Sequence, residues 1–188
     1  MTETADDSLV AVPAGELRRR AAGVALLVLD VDGVLTDGTI YYGADGETLK
    51  AFNIMDGLGL RLLARSGIAT AIISARTSPP LLRRAEDLGI DHVYTGRHDK
   101  EAAWDELLAD TGTGPEAAAF VGDDLIDLGL LRRAGLAVAV CNGHPAVRQR
   151  AHYVTLRSGG HGAVREVAEL LLASRGALEP LIRDHAAR

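Results

Sequence analysis

The sequence predicts an α/β fold, a doubly wound parallel sheet with helices on both faces. Short runs rich in apolar and β-branched residues alternate with stretches whose leucines recur at helical spacing, a pattern typical of parallel strands joined by covering helices. No internal repeat, low-complexity tract or linker divides the chain. We therefore expect a single domain over residues 1–188, with its core over residues 22–175 and flexible termini.

Six apolar runs are predicted to form the strands of this sheet, at residues 24–29, 68–74, 92–95, 117–121, 136–140 and 153–156. Helices are predicted before Gly67, before Gly89, after Asp99 as an N-cap, and over residues 163–173. Glycine is common just after a helix end, and aspartate just before a helix start. The last dozen residues are expected to be poorly ordered.

Composition and charge exclude several classes of protein. The 20 Lys and Arg against 26 Asp and Glu give a formal net charge of −6, whereas a nucleic-acid-binding protein needs a basic face. The longest run of apolar residues, 21–29, is far shorter than the ~20 residues of a membrane-spanning helix. The first residues are acidic and no apolar stretch follows a positive patch, so we expect no export signal and a cytoplasmic location.

Two carboxylates stand where the first predicted strand ends. Asp30 and Asp32 lie between an apolar strand and a loop that begins at Gly33. Ligands of an open parallel sheet bind beyond the carboxyl ends of its strands, so both side chains are expected to face that crevice. Taken alone, the pair is equally consistent with a solvated turn, because Asp and Gly are common turn residues.

Three later strand ends favour a site over a turn. Ser74 ends the second strand, Lys100 follows the third, and the fourth ends in a cluster of three carboxylates, Asp123, Asp124 and Asp127. Clustered carboxylates repel each other unless a cation lies among them, and such hard oxygen ligands suit Mg²⁺. The sequence therefore predicts a magnesium site at this edge of the sheet.

These residues carry a resemblance to a known family. The segment DVDG at 30–33, Ser74, Lys100 and the segment GDDLID at 122–127 match, in order, the four motifs of the haloacid dehalogenase superfamily of phosphotransferases. The longer segment DVDGVLTDG and the segment GGHGAVRE at 159–166 resemble the capless branch that includes 3-deoxy-D-manno-octulosonate 8-phosphate phosphatase. The resemblance implies a Rossmann-like fold with no cap domain and a Mg²⁺-dependent phosphatase that hydrolyses the phosphate monoester of a small acidic sugar.

The chemistry of three groups agrees with the roles that the resemblance implies. Asp30, whose reference pKa of about 3.9 makes it ionised at neutral pH, is the expected nucleophile and forms an aspartyl-phosphate. Asp32 is expected to protonate the leaving oxygen and later to activate water. Lys100, together with Mg²⁺, is expected to supply the positive charge that phosphoryl transfer requires.

The resemblance also implies how the metal is held. Asp30, the backbone carbonyl of Asp32 and the carboxylate of Asp123 are the expected ligands, with waters completing the octahedron. Asp124 and Asp127 are expected to lie behind these ligands and to orient the waters and the lysine.

The substrate is expected to be held by residues around the crevice. Contacts to the phosphoryl group or to the sugar are expected from Gly33, Thr36, Ser74, Ala75, Arg76 and His161. Arg61 is a further candidate partner for a substrate carboxylate. Met55 and His161 stand where the octulosonate enzymes tend to carry arginine, so a nonulosonate (neuraminate or KDN) 9-phosphate is an alternative substrate.

Two other classes of protein are alternatives to a phosphatase. A signalling receiver also places aspartates, a hydroxyl and a lysine at strand ends, but it has its phosphoacceptor on a strand after its acidic pair. Here the acidic pair comes first, and a second acidic cluster follows Lys100. A non-catalytic oligomerisation module is the other alternative, and the intact Asp30, Asp32, Lys100 and Asp123 argue against it.

One segment breaks the alternation of strands and helices. Residues 39–42 and 47–52 flank a short turn, which predicts a β-hairpin inserted directly after the first strand. An isolated two-stranded ribbon is marginally stable in water, so we expect this hairpin to pair with copies from other subunits. Tetramers of similar chains form in this way, and the resemblance thus implies a homotetramer whose hairpins narrow the active-site mouths.

Overall fold

The computed structural model describes residues 13–187 and contains eight strands within that range. These strands are β1 (Leu26–Leu29), β2 (Tyr41–Gly43), β3 (Gly46–Leu49), β4 (Ala69–Ile73), β5 (His92–Tyr94), β6 (Ala118–Gly122), β7 (Leu136–Ala139) and β8 (Tyr153–Val154). Six of them form one parallel sheet in the order β5-β4-β1-β6-β7-β8, and β2 and β3 form a separate antiparallel hairpin. The predicted strands and the hairpin after β1 are all present.

The helices are α1 (Ala14–Gly23), α2 (Ile54–Arg65), α3 (Pro79–Leu88), α4 (Lys100–Thr111), α5 (Leu128–Arg133), α6 (Pro145–Arg148), α7 (Ala163–Ser174) and α8 (Leu178–Ala186). The predicted caps are formed: Asp99 accepts the N–H of Ala102 at 3.0 Å, and Gly89 ends α3 with a φ of 70°. Among the described residues, no helix is both long and apolar enough to cross a bilayer.

The helices cover both faces of the sheet, because the strand side chains are apolar on both sides. Leu27 and Leu29 of β1 pack in one core with residues of α2, α3 and α7, and Leu26 and Val28 pack in a second core with residues of α4 and α5. All four side chains of β1 are fully buried, as expected for a central parallel strand. The doubly wound fold predicted from the sequence is confirmed.

The order of the strands positions the site. From β1 the chain proceeds through β4 to β5 at one edge, then returns to β6 on the other side of β1. Connections therefore leave β1 in opposite directions, and the crevice of such a sheet opens beyond the carboxyl end of that strand. Asp30 is the first residue after β1, and its N–H donates to Val121 O of β6 at 3.0 Å.

The structure differs from the prediction at the ends of the chain. Residues 1–12, part of the expected flexible N-terminus, lie outside the described residues. The helix α1 was not predicted, and α8 stands where a poorly ordered end was expected. Leu178 and Leu181 of α8 pack against the core beside α7, and Arg65 of α2 pairs with Asp184 at 3.1 Å. Partial burial of Leu178 and Leu181 against the core favours this helix.

Candidate active site

A buried lysine joins two carboxylates at the carboxyl end of the sheet. Lys100 is the first residue of α4, its side chain is 2% exposed, and its Nζ lies 2.7 Å from both Asp30 Oδ1 and Asp127 Oδ1. Burial alone would lower the pKa of Lys100, but the Asp30 and Asp127 carboxylates raise it above its ordinary value. The ammonium therefore stays charged and fixes one oxygen of each carboxylate.

Asp127 is held from both sides by a tight turn after β6. Its Oδ2 accepts the N–H groups of Asp123 at 2.9 Å and Asp124 at 3.3 Å, while its Oδ1 faces Lys100. Asp124 caps the same 3₁₀ turn (Leu125–Asp127) and is exposed. Both oxygens of Asp127 thus have partners, which suits a residue that orients its neighbours. A side chain at Gly122 would meet Asp127 Oδ2 at 2.6 Å, so that position requires glycine.

The carboxylates form a cluster suited to a divalent cation. Asp30, Asp123 and Asp127 each offer a ligand atom, and these atoms all lie within 4.8 Å of one another. Burial, opposed by Lys100 and reinforced by Asp127, raises the pKa of Asp30. Burial and the charges of Asp30 and Asp127 raise the pKa of Asp123 as well. A single ammonium does not balance three carboxylates, and a hard cation held by Asp30 and Asp123 would do so.

The loop after β1 brings its backbone against Asp123. Gly33 has a φ of 98°, and a Cβ there would lie 2.1 Å from Asp123 Oδ2. Thr36, predicted to contact the phosphoryl group or the sugar, is buried within this loop. Its hydroxyl accepts the N–H groups of Gly33 at 3.4 Å and Gly38 at 3.2 Å, and so it shapes the loop. A contact of Thr36 with the phosphoryl group or the sugar stays a prediction.

Ser74 and Ala75 lie beside this cluster. They follow β4, the sheet neighbour of β1, and Ser74 is buried, with its Oγ accepting the N–H of Arg76 at 3.2 Å. His161 is exposed on a loop that rests on the loop after β1, where Gly160 N–H donates to Val34 O at 3.0 Å.

Arg61 does not reach this edge. Its Nη2 donates to Asp87 O at 2.9 Å, at the end of α3, and its side chain is exposed there. The prediction of Arg61 as a partner of a substrate carboxylate is therefore wrong, because its position in α2 directs it to a neighbouring helix end. Met55, in the first turn of α2, is exposed.

A second buried lysine, which the sequence analysis missed, lies over Asp32. The Lys50 ammonium contacts Asp32 Oδ1 and lies 3.5 Å from Glu47 Oε2, and its side chain is 2% exposed. Arg76 Nε lies 3.7 Å from Asp32 Oδ2, and Arg76 Nη2 lies 3.4 Å from Glu47. The Ser78 hydroxyl also donates to Glu47. The hairpin segment thus brings a cation and its carboxylate partner to the acid/base candidate.

The amino-acid usage of the chain held a signal for this residue. The sequence contains two lysines, Lys50 and Lys100, against 18 arginines, and both lysines are buried at this site. Lysine carries a compact charge that suits contact with one or two oxygens, whereas arginine presents a broad planar fork. The two lysines of this arginine-rich chain thus each contact a candidate catalytic residue, Lys50 contacting Asp32 and Lys100 contacting Asp30.

Comparisons with known proteins agree with this geometry. The family model for haloacid dehalogenase-like hydrolases matches residues 88–167. A 3-deoxy-D-manno-octulosonate 8-phosphate phosphatase from Yersinia pestis is 50% identical over 166 residues, which are 88% of this chain and 89% of that protein.

Two solved structures of such phosphatases are also similar. The enzyme from Moraxella catarrhalis, in complex with magnesium, phosphate and KDO, has a TM-score of 0.89 and 41% identity, covering 92% of this chain and 99% of that chain. The cobalt-bound enzyme from Haemophilus influenzae has a TM-score of 0.83 and 37% identity, covering 85% of this chain and 93% of that chain. The resemblance stated from the motifs is confirmed, and the chain belongs to the haloacid dehalogenase-like family of hydrolases.

Proposed function

We propose that this protein is a phosphoric monoester hydrolase, a Mg²⁺-dependent phosphatase that hydrolyses 3-deoxy-D-manno-octulosonate 8-phosphate. The observation that carries the proposal is the bridge of Lys100 between Asp30 and Asp127, at 2.7 Å each, in a cluster that also contains Asp123. The 50% identity to a phosphatase with this substrate supports the choice of sugar.

The proposed reaction has two steps. Asp30 attacks phosphorus, a bond forms between its carboxylate oxygen and phosphorus, and the bond from phosphorus to the sugar oxygen breaks. Asp32 gives its proton to that leaving oxygen. Water then attacks the aspartyl-phosphate while Asp32 takes the water proton, which releases phosphate and regenerates Asp30. Lys100 holds Asp30 Oδ1 and so fixes the orientation of the nucleophilic carboxylate.

The metal has a defined place in this proposal. Asp30, Asp123 and the backbone carbonyl of Asp32 would hold Mg²⁺, with Asp127 and Asp124 behind them. Bound there, the ion supplies positive charge beside the transferring phosphoryl group. Burial and the repulsion between neighbouring carboxylates raise the pKa values of Asp30 and Asp123. A cation among these carboxylates would relieve that repulsion, which supports a metal site here.

The choice of sugar is tested by phosphate release from a panel of phosphate monoesters. We expect the octulosonate 8-phosphate to give the highest kcat/KM, with activity lost when Mg²⁺ is chelated and restored when it is added back. Neuraminate and KDN 9-phosphates belong in the panel because Met55 and His161 stand at positions where the octulosonate enzymes tend to carry arginine. A higher kcat/KM for a nine-carbon acid phosphate would make that compound the proposed substrate in place of the octulosonate. The absence of phosphate release from every sugar phosphate in the panel would overturn the proposal.

We propose that the protein assembles as a homotetramer through its hairpin. The hairpin strands form a sheet of their own, and Ile40, Tyr41, Tyr42 and Leu49 leave apolar surface exposed on it. Pairing with copies of the same hairpin would bury that surface and complete the strand edges. Sedimentation velocity at micromolar concentration tests this assembly, and a monomer would contradict it.

A cytoplasmic location belongs to the same proposal. Fractionation of cells that express the full chain tests the location.

A further inference from the structure

The two oxygens of Asp32 have different surroundings. Its side chain is partly exposed, and Oδ1 accepts a hydrogen bond from the buried ammonium of Lys50. Within residues 13–187, Oδ2 has no hydrogen-bond partner. Arg76 Nε lies 3.7 Å from Oδ2 and is itself buried without a hydrogen bond. One oxygen is therefore fixed and the other is available for proton transfer.

Lys50 has a second carboxylate partner besides Asp32. Glu47 Oε2 lies 3.5 Å from the ammonium and 3.4 Å from Arg76 Nη2, and Glu47 also accepts the hydroxyl of Ser78. Ser78 is the N-cap of α3, so the network fastens the hairpin to a helix of the core. Although burial alone would raise it, Ser78, Lys50 and Arg76 hold the pKa of Glu47 below its ordinary value. Glu47 thus remains an anionic anchor.

From this arrangement we infer that Lys50 is a positioning residue for the acid/base step. Its ammonium holds Asp32 Oδ1 and so keeps Oδ2 directed at the leaving oxygen of the substrate. The inference rests on the proposed function, in which Asp32 protonates that oxygen. It gives the inserted hairpin a part in the chemistry as well as in covering the site, since the hairpin delivers Lys50 to Asp32.

Comparing substrates with poor and good leaving groups shows whether a residue positions the general acid or has another role. A sugar alkoxide is a poor leaving group and needs a proton as the bond to phosphorus breaks, whereas p-nitrophenolate leaves without one. The ratio kcat/KM reports the steps up to departure of the leaving group, before water attacks the phosphoenzyme. A residue that orients Asp32 therefore affects kcat/KM for the sugar phosphate and spares it for p-nitrophenyl phosphate.

The experiment compares K50M, K50R and D32N on two substrates, p-nitrophenyl phosphate and the best sugar phosphate of the panel. We expect K50M to lower kcat/KM for the sugar phosphate by ~100-fold and for p-nitrophenyl phosphate by less than ~3-fold. K50R keeps the positive charge and is expected to recover part of the loss. D91N, at an exposed aspartate before β5 and outside the hairpin, is the control, and we expect it to match the wild type on both substrates.

Three outcomes would overturn the inference: an equal loss on both substrates in K50M, no loss on the sugar phosphate, or a gain. D32N tests the proposed function separately. If D32N shows no preference for the good leaving group, the role of Asp32 fails, whatever K50M does. If D32N shows that preference and K50M does not, only the role of Lys50 fails.

A second measurement covers the case in which K50M does not fold. E47Q keeps Lys50 but removes the charge of its anchor, and we expect the same substrate selectivity with a smaller loss. Protein labelled with ¹⁵N-lysine gives one side-chain signal for each of the two lysines, and K50R assigns them. We expect the Lys50 signal to shift in both D32N and E47Q. An unchanged Lys50 signal in D32N would contradict the contact on which the inference depends.

Discussion

Lys100 and Lys50 are both buried ammonium groups set between two carboxylates, yet different parts of the fold place them. Lys100 opens α4, and its partners Asp30 and Asp127 follow two adjacent strands of the main sheet. Lys50 follows the hairpin strand β3. Its partners are Asp32, in the loop after β1, and Glu47, in β3 itself. One cation is fixed by the core of the protein and the other by an inserted segment.

The difference separates two demands of phosphoryl transfer. Lys100, the cation beside the proposed nucleophile, lies at the edge of a sheet that is packed between two apolar cores. Lys50, the cation beside the proposed acid, is carried by a ribbon of two short strands whose apolar side chains are largely exposed. We therefore expect changes at the sheet edge to affect every substrate, and changes in the hairpin to affect substrates selectively.

The largest effect is expected from D30N, at the centre of the sheet edge. The amide cannot form the aspartyl-phosphate, so we expect phosphate release to fall by at least ~10⁴-fold on every substrate. Intact-protein mass spectrometry after acid quenching should show a phosphorylated species for the wild type and none for D30N. D91N, an exposed aspartate before β5, is the control and should leave turnover unchanged. Turnover retained by D30N would exclude this nucleophile.

K100M should produce the next largest loss and should contrast with K50M. Removing the ammonium takes away charge beside the transferring phosphoryl group, so we expect kcat/KM to fall ~10²–10³-fold on the sugar phosphate and on p-nitrophenyl phosphate alike. R97M, which removes a partly exposed cation three residues earlier, should have little effect. If K100M left the kcat/KM for p-nitrophenyl phosphate unchanged, Lys100 and Lys50 would not differ in their selectivity between substrates.

Much of this site could be predicted from the sequence, for a physical reason. The carboxyl ends of parallel strands meet at one edge, so Asp30, Lys100 and Asp127 could be expected to converge without knowledge of distances. Fold class followed in the same way from the alternation of strands and helices.

Other parts could not be predicted from local pattern. The position of Lys50 over Asp32 depends on how the hairpin packs against α3, which no spacing in the sequence encodes. The hydrogen bonds by which the Thr36 hydroxyl shapes the loop after β1 could not be predicted either, because they depend on the fold of that loop. The helix α8 was missed because its stability comes from packing of Leu178 and Leu181 against the core.

D123N tests the cation site at the sheet edge. Loss of this carboxylate should raise the Mg²⁺ concentration for half-maximal activity by at least ~10-fold, because a ligand contributes no less than the groups that orient it. D124N, its exposed neighbour, should have a smaller effect. Isothermal titration with Mg²⁺ alone checks the same order without turnover. Equal Mg²⁺ affinity in wild type and D123N would remove Asp123 from the site.

L49D tests the hairpin side of the comparison. Leu49 is 55% exposed and pairs with Tyr41 across the hairpin, so a charge there should prevent hairpins from packing together while leaving each chain folded. We expect the main sedimenting species to change from tetramer to smaller forms. Activity on the sugar phosphate should fall by ~10-fold or less, since P–O bond breaking does not use this residue. D45N should leave the assembly unchanged, and a tetramer retained by L49D would contradict the proposed interface.

The smallest effect is expected far from both lysines, at His152 beside β8. Its Nδ1 accepts the N–H of Ala137 at 2.9 Å, and burial, together with the charge of Arg20, lowers the pKa of His152 below 6.5. As pH falls below 6.5, the unfolded chain takes up a proton on His152 before the folded chain does. The free energy of unfolding therefore decreases as the solution becomes more acidic. H152Q keeps an acceptor for Ala137 but cannot titrate. Urea unfolding from pH 7 to 5 should show the wild type losing stability relative to H152Q, with kcat/KM unchanged; a pH-independent difference would mean that His152 titrates alike in both states.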